Sequence, residues 1–253
     1  AFNDFRELLA HEGVDAVVFN YMDPEFARRA ADRLAGADIP SVAHGIEPAA
    51  GLRIPVIAYD NRKAGYRAGI AAAQQYEEMS RGTSPRIFLI TSDTDSAVHT
   101  ERSLGFVEGV QEILPDAYVS GRLYDNGTTD STKARLLEGL EEQGQAEIFF
   151  ATSDYRGMGA LRAIRLSVPD PEGVVLATAG GSELSMTMVQ STYDPWKVVS
   201  AFDIDAFVRT AYDLLAGSTV TGSSGEDPEG LRLEEPRLVG VELFREPSFE
   251  LTQ

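Results

Sequence analysis

The chain reads as an α/β protein whose parallel strands are covered by helices on both faces. Two observations predict this. Short apolar runs, among them Asp15 to Asn20 (DAVVFN), Arg86 to Ser92 (RIFLITS) and Val174 to Ala179 (VVLATA), alternate with helical stretches of about ten or more residues, the pattern of βα repeats. Their apolar residues are nearly continuous rather than alternating, as expected of strands buried on both faces. Each strand also ends in a polar or Gly-rich corner that enters a helix, most clearly over Glu147 to Ile164, EIFFATSDYRGMGALRAI. Sheets of this kind bind ligands beyond the carboxyl ends of their strands, so function is to be sought in those corners.

In order along the chain, Phe2 to His11 is expected to be a helix, with Phe5, Leu8 and Leu9 on one face and Gly13 ending it before the strand Val14 to Phe19. Pro24 to Ala35 is a helix opened by Asp23 as N-cap, with Pro at the first helical position. Strands follow at Ile39 to His44 and Ile54 to Tyr59. Asp60 to Met79 is a long helix whose Ala64, Gly65, Ala68, Gly69 and Ala72 allow close approach to a neighbour. After the break at Arg81 to Pro85 a second run of βα units begins at Arg86. It continues through helix Thr100 to Leu114, strand Tyr118 to Tyr124, helix Thr129 to Gln143, the strand and helix of the corner at 147–164, and strand Val174 to Ala179. Helix Leu184 to Gln190, strand Lys197 to Phe202 and helix Asp205 to Ala216 come next. Ser218 to Gly230 has loop composition, and Arg237 to Phe244 is a late strand.

The 253 residues are enough to bury a large core, as one large domain or two lobes. A formal charge of −18, with Lys63, Lys133 and Lys197 the only lysines, opposes binding to nucleic acid or to an anionic membrane surface. The absence of cysteine excludes disulfides, thiolate metal sites and a Cys nucleophile. No GxSxG, GxxxxGK[ST] or HExxH motif occurs, and His11, His44 and His99 lack metal-ligand spacing. Asp93 and Asp95 start like a calcium loop that Ala97 and Val98 fail to continue. A binder without metal or cofactor is expected, not an enzyme. A flavodoxin-like or nucleotide-dependent catalyst is the least supported reading.

The stretches VIAYDNRKAGYRAGIAAA (Val56 to Ala73), TERSLGFVEGV (Thr100 to Val110) and FFATSDYRGMGALRAI (Phe149 to Ile164) resemble the type I periplasmic binding protein superfamily, especially the ribose-binding-like sugar receptors. The same fold forms the effector domain of lac-repressor-type regulators. The resemblance implies two doubly wound parallel-sheet lobes joined by a hinge. The first would hold 1–59 plus 203–234, and the second 60–202 plus 235–253. Family members begin with a strand, a helix and another strand ahead of the first helix here, so the first lobe is expected to be incomplete, its N-terminal part absent.

The resemblance also implies a set of ligand-binding residues. Arg102 registers with an arginine that donates to sugar oxygens, and Ser153 takes the place of an Asn. Asn126 stands in for a stacking aromatic, or merely forms a turn with Gly127. His44 could supply a donor or acceptor, or be a surface or cap histidine. Asp203, beside the last crossing, is included in the set. Tyr21 and Trp196 are candidate stacking platforms, though rings in such places are more often core or surface. Asp154 is read as a helix cap. The family's two aspartates fall at Gly45 and Ala179 and its glutamine at Phe202, which argues against a ribose-like ligand in the same pose.

The function so implied is that of an extracytoplasmic solute-binding protein of an ABC-type importer, expected to be monomeric. It would close its hinge on a sugar or polyol and present the closed form to a membrane permease, in the periplasm or its equivalent. The alternative is the effector-binding domain of a lac-repressor-type regulator without its DNA-binding headpiece.

Overall fold

The computed structural model describes residues 14–21, 24–45, 54–79, 82, 84–92, 97–190, 195–220, 231–234 and 237–240. Its contacts divide the chain into two units, Ala1–Tyr59 with Asp203–Glu234 and Asp60–Phe202 with Glu235–Gln253. The expected helix at Phe2 to His11, the turn at Asp93 and Asp95, and the second half of the late strand, 241–244, lie outside the described residues.

In the first unit β1 (Val17–Tyr21), β2 (Ser41–Gly45), β3 (Val56–Tyr59) and β9 (Leu231–Glu234) form a parallel sheet in that order. Period-two alternation splits its side chains between two helices. Val17, Phe19, Ala43 and Val56 pack on Ala27, Ala30, Ala31 and Leu34 of α1 (Pro24–Gly36). Val42 and Ile57 face the other way, onto Ala211, Phe207, Leu214 and Leu215 of α7 (Ile204–Val220). That helix runs four residues past the expected end at Ala216. Strand β9 was not foreseen, because four residues reading LRLE are too short a period to separate from loop.

The second unit holds β4 (Arg86–Ser92), β5 (Tyr118–Asp125), β6 (Ile148–Ala151), β7 (Val175–Gly180), β8 (Trp196–Ala201) and β10 (Arg237–Gly240), in the order β10-β8-β7-β6-β4-β5. Among the described strands of this sheet only β10 runs antiparallel. Ile87, Leu89, Ile148, Phe150, Val175 and Ala177 point to α2 (Asn61–Glu78) and α3 (Ala97–Ile113), where Phe106 stacks on Phe150 at 4.1 Å and 10°. Phe88, Ile90, Phe149, Leu176 and Val199 point to α4 (Thr129–Gln143) and α5 (Asp154–Ser167), the side on which Met186 and Met188 of the short α6 (Glu183–Met188) also pack. Chain direction across the sheet reverses between β4 and β6. The crevice beyond their carboxyl ends is thus a topological switch point, the place where such sheets bind ligands.

Helices α2 and α3 approach backbone to backbone. A Cβ at Gly65, Gly69, Gly105 or Gly109 would fall inside 3.0 Å of the carbonyl oxygens of Arg102, Phe106, Arg62 and Tyr66 respectively. Each glycine of one helix therefore meets a turn of the other, and Arg62 and Tyr66 of α2 reach Glu108 and Glu112 of α3 at the rim. Substituting Gly69 by Ala should force the helices apart and destabilise the second unit by about 3 kcal/mol in urea unfolding. Gly36→Ala, where a Cβ meets nothing within 4 Å, should be neutral or slightly stabilising.

Candidate functional site

At the carboxyl end of the second unit's sheet, the close packing of α2 on α3 sets Arg102 over the residue that follows β6. Its Nε donates to Asn61 Oδ1 at 2.9 Å and its Nη1 to the carbonyl of Thr152 at 2.7 Å. The guanidinium carbon lies 4.7 Å from the centre of the Phe202 ring, within range of a cation–π contact. Burial, opposed by Asp154 and assisted by Arg156, lowers Arg102 to about 10. The group stays charged at neutral pH, partly buried and held by two neutral oxygens and a ring.

A second arginine is neutralised. Arg156 of α5 donates through Nε to Asp125 Oδ1 at 2.6 Å and through Nη2 to the Asp125 carbonyl at 3.3 Å. The two side chains are 5% and 0% exposed, so this is a desolvated ion pair. Asp125 also accepts from the amide of Gly127 at 2.8 Å and from the Thr132 hydroxyl. Gly127 has φ +82°, which favours glycine in this turn, and a Cβ there would come within 3.2 Å of Arg156 Nη2.

Asp154 performs a different task from the cap expected of it. The helix begins at Asp154 itself, with Ser153 as N-cap making no side-chain cap bond. The Asp154 carboxylate instead crosses to the next strand-to-helix corner. There it accepts from Thr178 Oγ1 (3.1 Å), the amides of Gly181 (2.9 Å) and Ser182 (2.6 Å), and Ser185 Oγ (2.9 Å). It ties the corner after β6 to the corner after β7 and thereby fixes Ser153, whose hydroxyl lies 3.4 Å from Arg156 Nη1.

His99, on the first turns of α3, is pulled down to about 4 by burial and then by Arg156 and Arg102, against the opposing pull of Asp125. It is neutral at physiological pH. Among the described residues its Nδ1 is buried without a hydrogen-bond partner, as is the Oγ1 of Thr152.

The remaining expected residues divide. In the first unit His44 Nδ1 donates to the carbonyl of Ile57 at 3.0 Å. The imidazole packs edge-on against Tyr59 and Phe207. Asp203 caps α7 by accepting from the amide of Ala206 at 2.8 Å. Asn126 is exposed and its Oδ1 accepts from the amide and hydroxyl of Thr128. The side chain of Tyr21 lies outside the described residues.

Trp196 is a correction. Its ring is 0% exposed within the second unit's core, donates Nε1–H to Thr178 Oγ1 at 3.2 Å, and lies so close to Gly157 that a Cβ there would approach the indole to 2.8 Å. No ring face is left for a sugar. The first residue of a buried strand simply placed a large apolar group in the core.

Sequence reasoning missed Asp125, Arg156 and His99. A signal existed for Asp125, a carboxylate ending a strand just before an Asn-Gly turn. Nothing local linked it to Arg156, because the two are 31 residues apart and meet only when β5 and α5 pack.

The family model described as periplasmic binding protein domain matches residues 1–217. Among solved structures, a periplasmic solute-binding protein of an ABC transporter from Actinobacillus succinogenes with bound D-allose superposes at TM-score 0.77 and 17% identity, over 96% of this chain and 84% of its own. The periplasmic component of an arabinose ABC transporter from a Shewanella species gives 0.73 and 17%, over 95% and 77%. A glucose-galactose binding protein from Geobacillus stearothermophilus gives 0.73 and 14%, over 95% and 81%. No curated protein matches the chain. Among the described residues, no helix is long and apolar enough to cross a membrane.

Two outcomes follow from this geometry. Arg156→Met strands a buried carboxylate and should cost about 3 to 5 kcal/mol in urea unfolding, whereas the double change Arg156→Met with Asp125→Leu should recover much of the loss. Between pH 6.5 and 4 the unfolded state takes up a proton at His99 that the folded state refuses, so stability falls as pH drops through that window. His99→Gln should remove on the order of 1 to 2 kcal/mol of that fall, allowing for the ring's remaining contact with water, when the two proteins are unfolded side by side across that range.

Proposed function

The chain belongs to the periplasmic binding protein domain family, and from that premise we propose that it is the extracytoplasmic solute receptor of an ABC-type importer for a small polar ligand of the sugar or polyol class. The receptor binds and does not catalyse. Its lobes are assigned to 1–59 with 203–234 and to 60–202 with 235–253, the division along which the contacts separate. Ligand contacts made with both lobes would favour a closed form by differential affinity, and a membrane permease would read that form.

The observation that carries this reading is Arg102. A planar donor fork anchored on Asn61 and Thr152, with Phe202 beneath it, sits at the switch point of the second unit's sheet. Ser153 is assigned to the same surface. His44 and Asp203 are assigned from the first unit, each oriented by a bond to its own backbone surroundings. Tyr21 is kept as a candidate, while Asn126 and Trp196 are given to turn and core. The proteins that share the fold include receptors for allose, arabinose and glucose-galactose, which supports a carbohydrate ligand.

A thermal-shift screen over pentoses, hexoses, polyols and their acids tests this directly. At about a hundred times Kd a ligand adds roughly 2.7 kcal/mol, which should raise Tm by several degrees. Small-angle scattering should then show a more compact particle with the hit than without it. A panel in which no member raises Tm would defeat the reading.

A further inference from the structure

The polar groups around Arg102 are unbalanced in a way that bears on ligand chemistry. Recognition of a neutral sugar draws on acceptors as well as donors, because every hydroxyl carries a proton to give away. Among the described residues, the carboxylates of Asp125 and Asp154 at this end of the second unit's sheet are already spent. Asp125 serves Arg156, Gly127 and Thr132, and Asp154 serves Thr178, Gly181, Ser182 and Ser185. Ala179 and Phe202 add no polar side-chain atom.

What remains is donor-rich and cationic. Arg102 has no carboxylate in contact among the described residues: it meets an amide oxygen, a backbone carbonyl and a ring face. A partly buried guanidinium without a counter-ion is costly, and closing a site over it would raise that cost. His99 stands near with a buried Nδ1 lacking a partner, able to donate in one tautomer, and Ser153 offers a hydroxyl. Charge also limits the ligand from the other side. Asp154 lies close enough to act on Arg102 electrostatically, which suits one negative charge better than the two of a phosphate monoester.

We propose that the ligand group received by Arg102 on the second unit is a carboxylate, so that the solute is an acidic sugar derivative, an aldonate or a uronate, rather than a neutral sugar or polyol. This rests on the receptor reading above and names the ligand class for the same site. The two carboxylate oxygens match the planar guanidinium fork and supply the contacting counter-ion that none of the described residues provides.

Calorimetric titration of the whole chain with matched sets decides the matter: D-galacturonate, its methyl ester, D-galactose, galactitol, D-galactonate and galactose 1-phosphate, with the corresponding gluco series. The expected result is that one acid binds at least tenfold more tightly than its neutral counterpart, that the methyl ester loses this advantage, and that Arg102→Gln abolishes it. The ester comparison uses the unaltered protein, so it decides even if the variant folds poorly. A neutral sugar bound as tightly as its acid, a phosphate preferred to the carboxylate, or an acid preference untouched in folded Arg102→Gln would overturn the proposal and leave the receptor reading standing. Failure of every compound, acidic or neutral, across this series and the wider panel would overturn both.

Discussion

The contact between α2 and α3 is the constraint on which the second unit's binding face depends. Four glycines, two on each helix, let the backbones touch where any side chain would collide with a carbonyl. Gly65 lies against the carbonyl of Arg102, so the position of the arginine along α3 is set by the shape of α2 and not by its own side chain. Asn61, one turn before Gly65, is thereby placed to accept from Arg102 Nε. The same contact presses Ala68 and Ala72 on one helix, and Phe106 on the other, onto the sheet beneath. Packing and site are consequences of one interface. Interiors are close-packed and yield little, so a change in that interface is transmitted to the guanidinium rather than absorbed.

Charge at the end of this sheet is arranged by the same economy. Among the described residues Arg102, Arg156, Asp125 and Asp154 converge there, but they do not form two equivalent pairs. Arg156 and Asp125 are a buried couple with further hydrogen bonds to the carboxylate, which is the condition under which burying ions is tolerated. Asp154 binds backbone amides and hydroxyls of the next corner, bracing two neighbouring strand-to-helix turns. Arg102 alone is held by neutral partners. The asymmetry separates residues that build the surface from the residue that the surface presents.

Much of the architecture was legible because it rests on local pattern. Unbroken apolar runs at Arg86 to Ser92 and Val174 to Ala179 became central parallel strands, and the small residues of Asp60 to Met79 became a close-packed helix with Asp60 as N-cap. Errors came at ends, where one or two backbone bonds decide: α3 begins at Ala97 rather than Thr100, and α7 absorbs residues whose Gly-Ser composition suggested loop. Trp196 was legible as apolar but not as core, since its burial depends on β8 lying between β7 and β10 and on Gly157 opening space above the ring.

The sequence by itself determined the fold class and the run of βα units, because hydrophobic period and turn chemistry are local properties of the chain, and its resemblance to a known family made Arg102, Ser153 and His44 candidates. Tertiary structure alone decided which of the converging charges are spent. Asp125 and Arg156 are 31 residues apart, and Asp154 reaches 27 and 31 residues onward to Gly181 and Ser185. Whether a carboxylate is available to a ligand depends on which donors the fold brings within about 3 Å of it, and no short-range pattern carries that information.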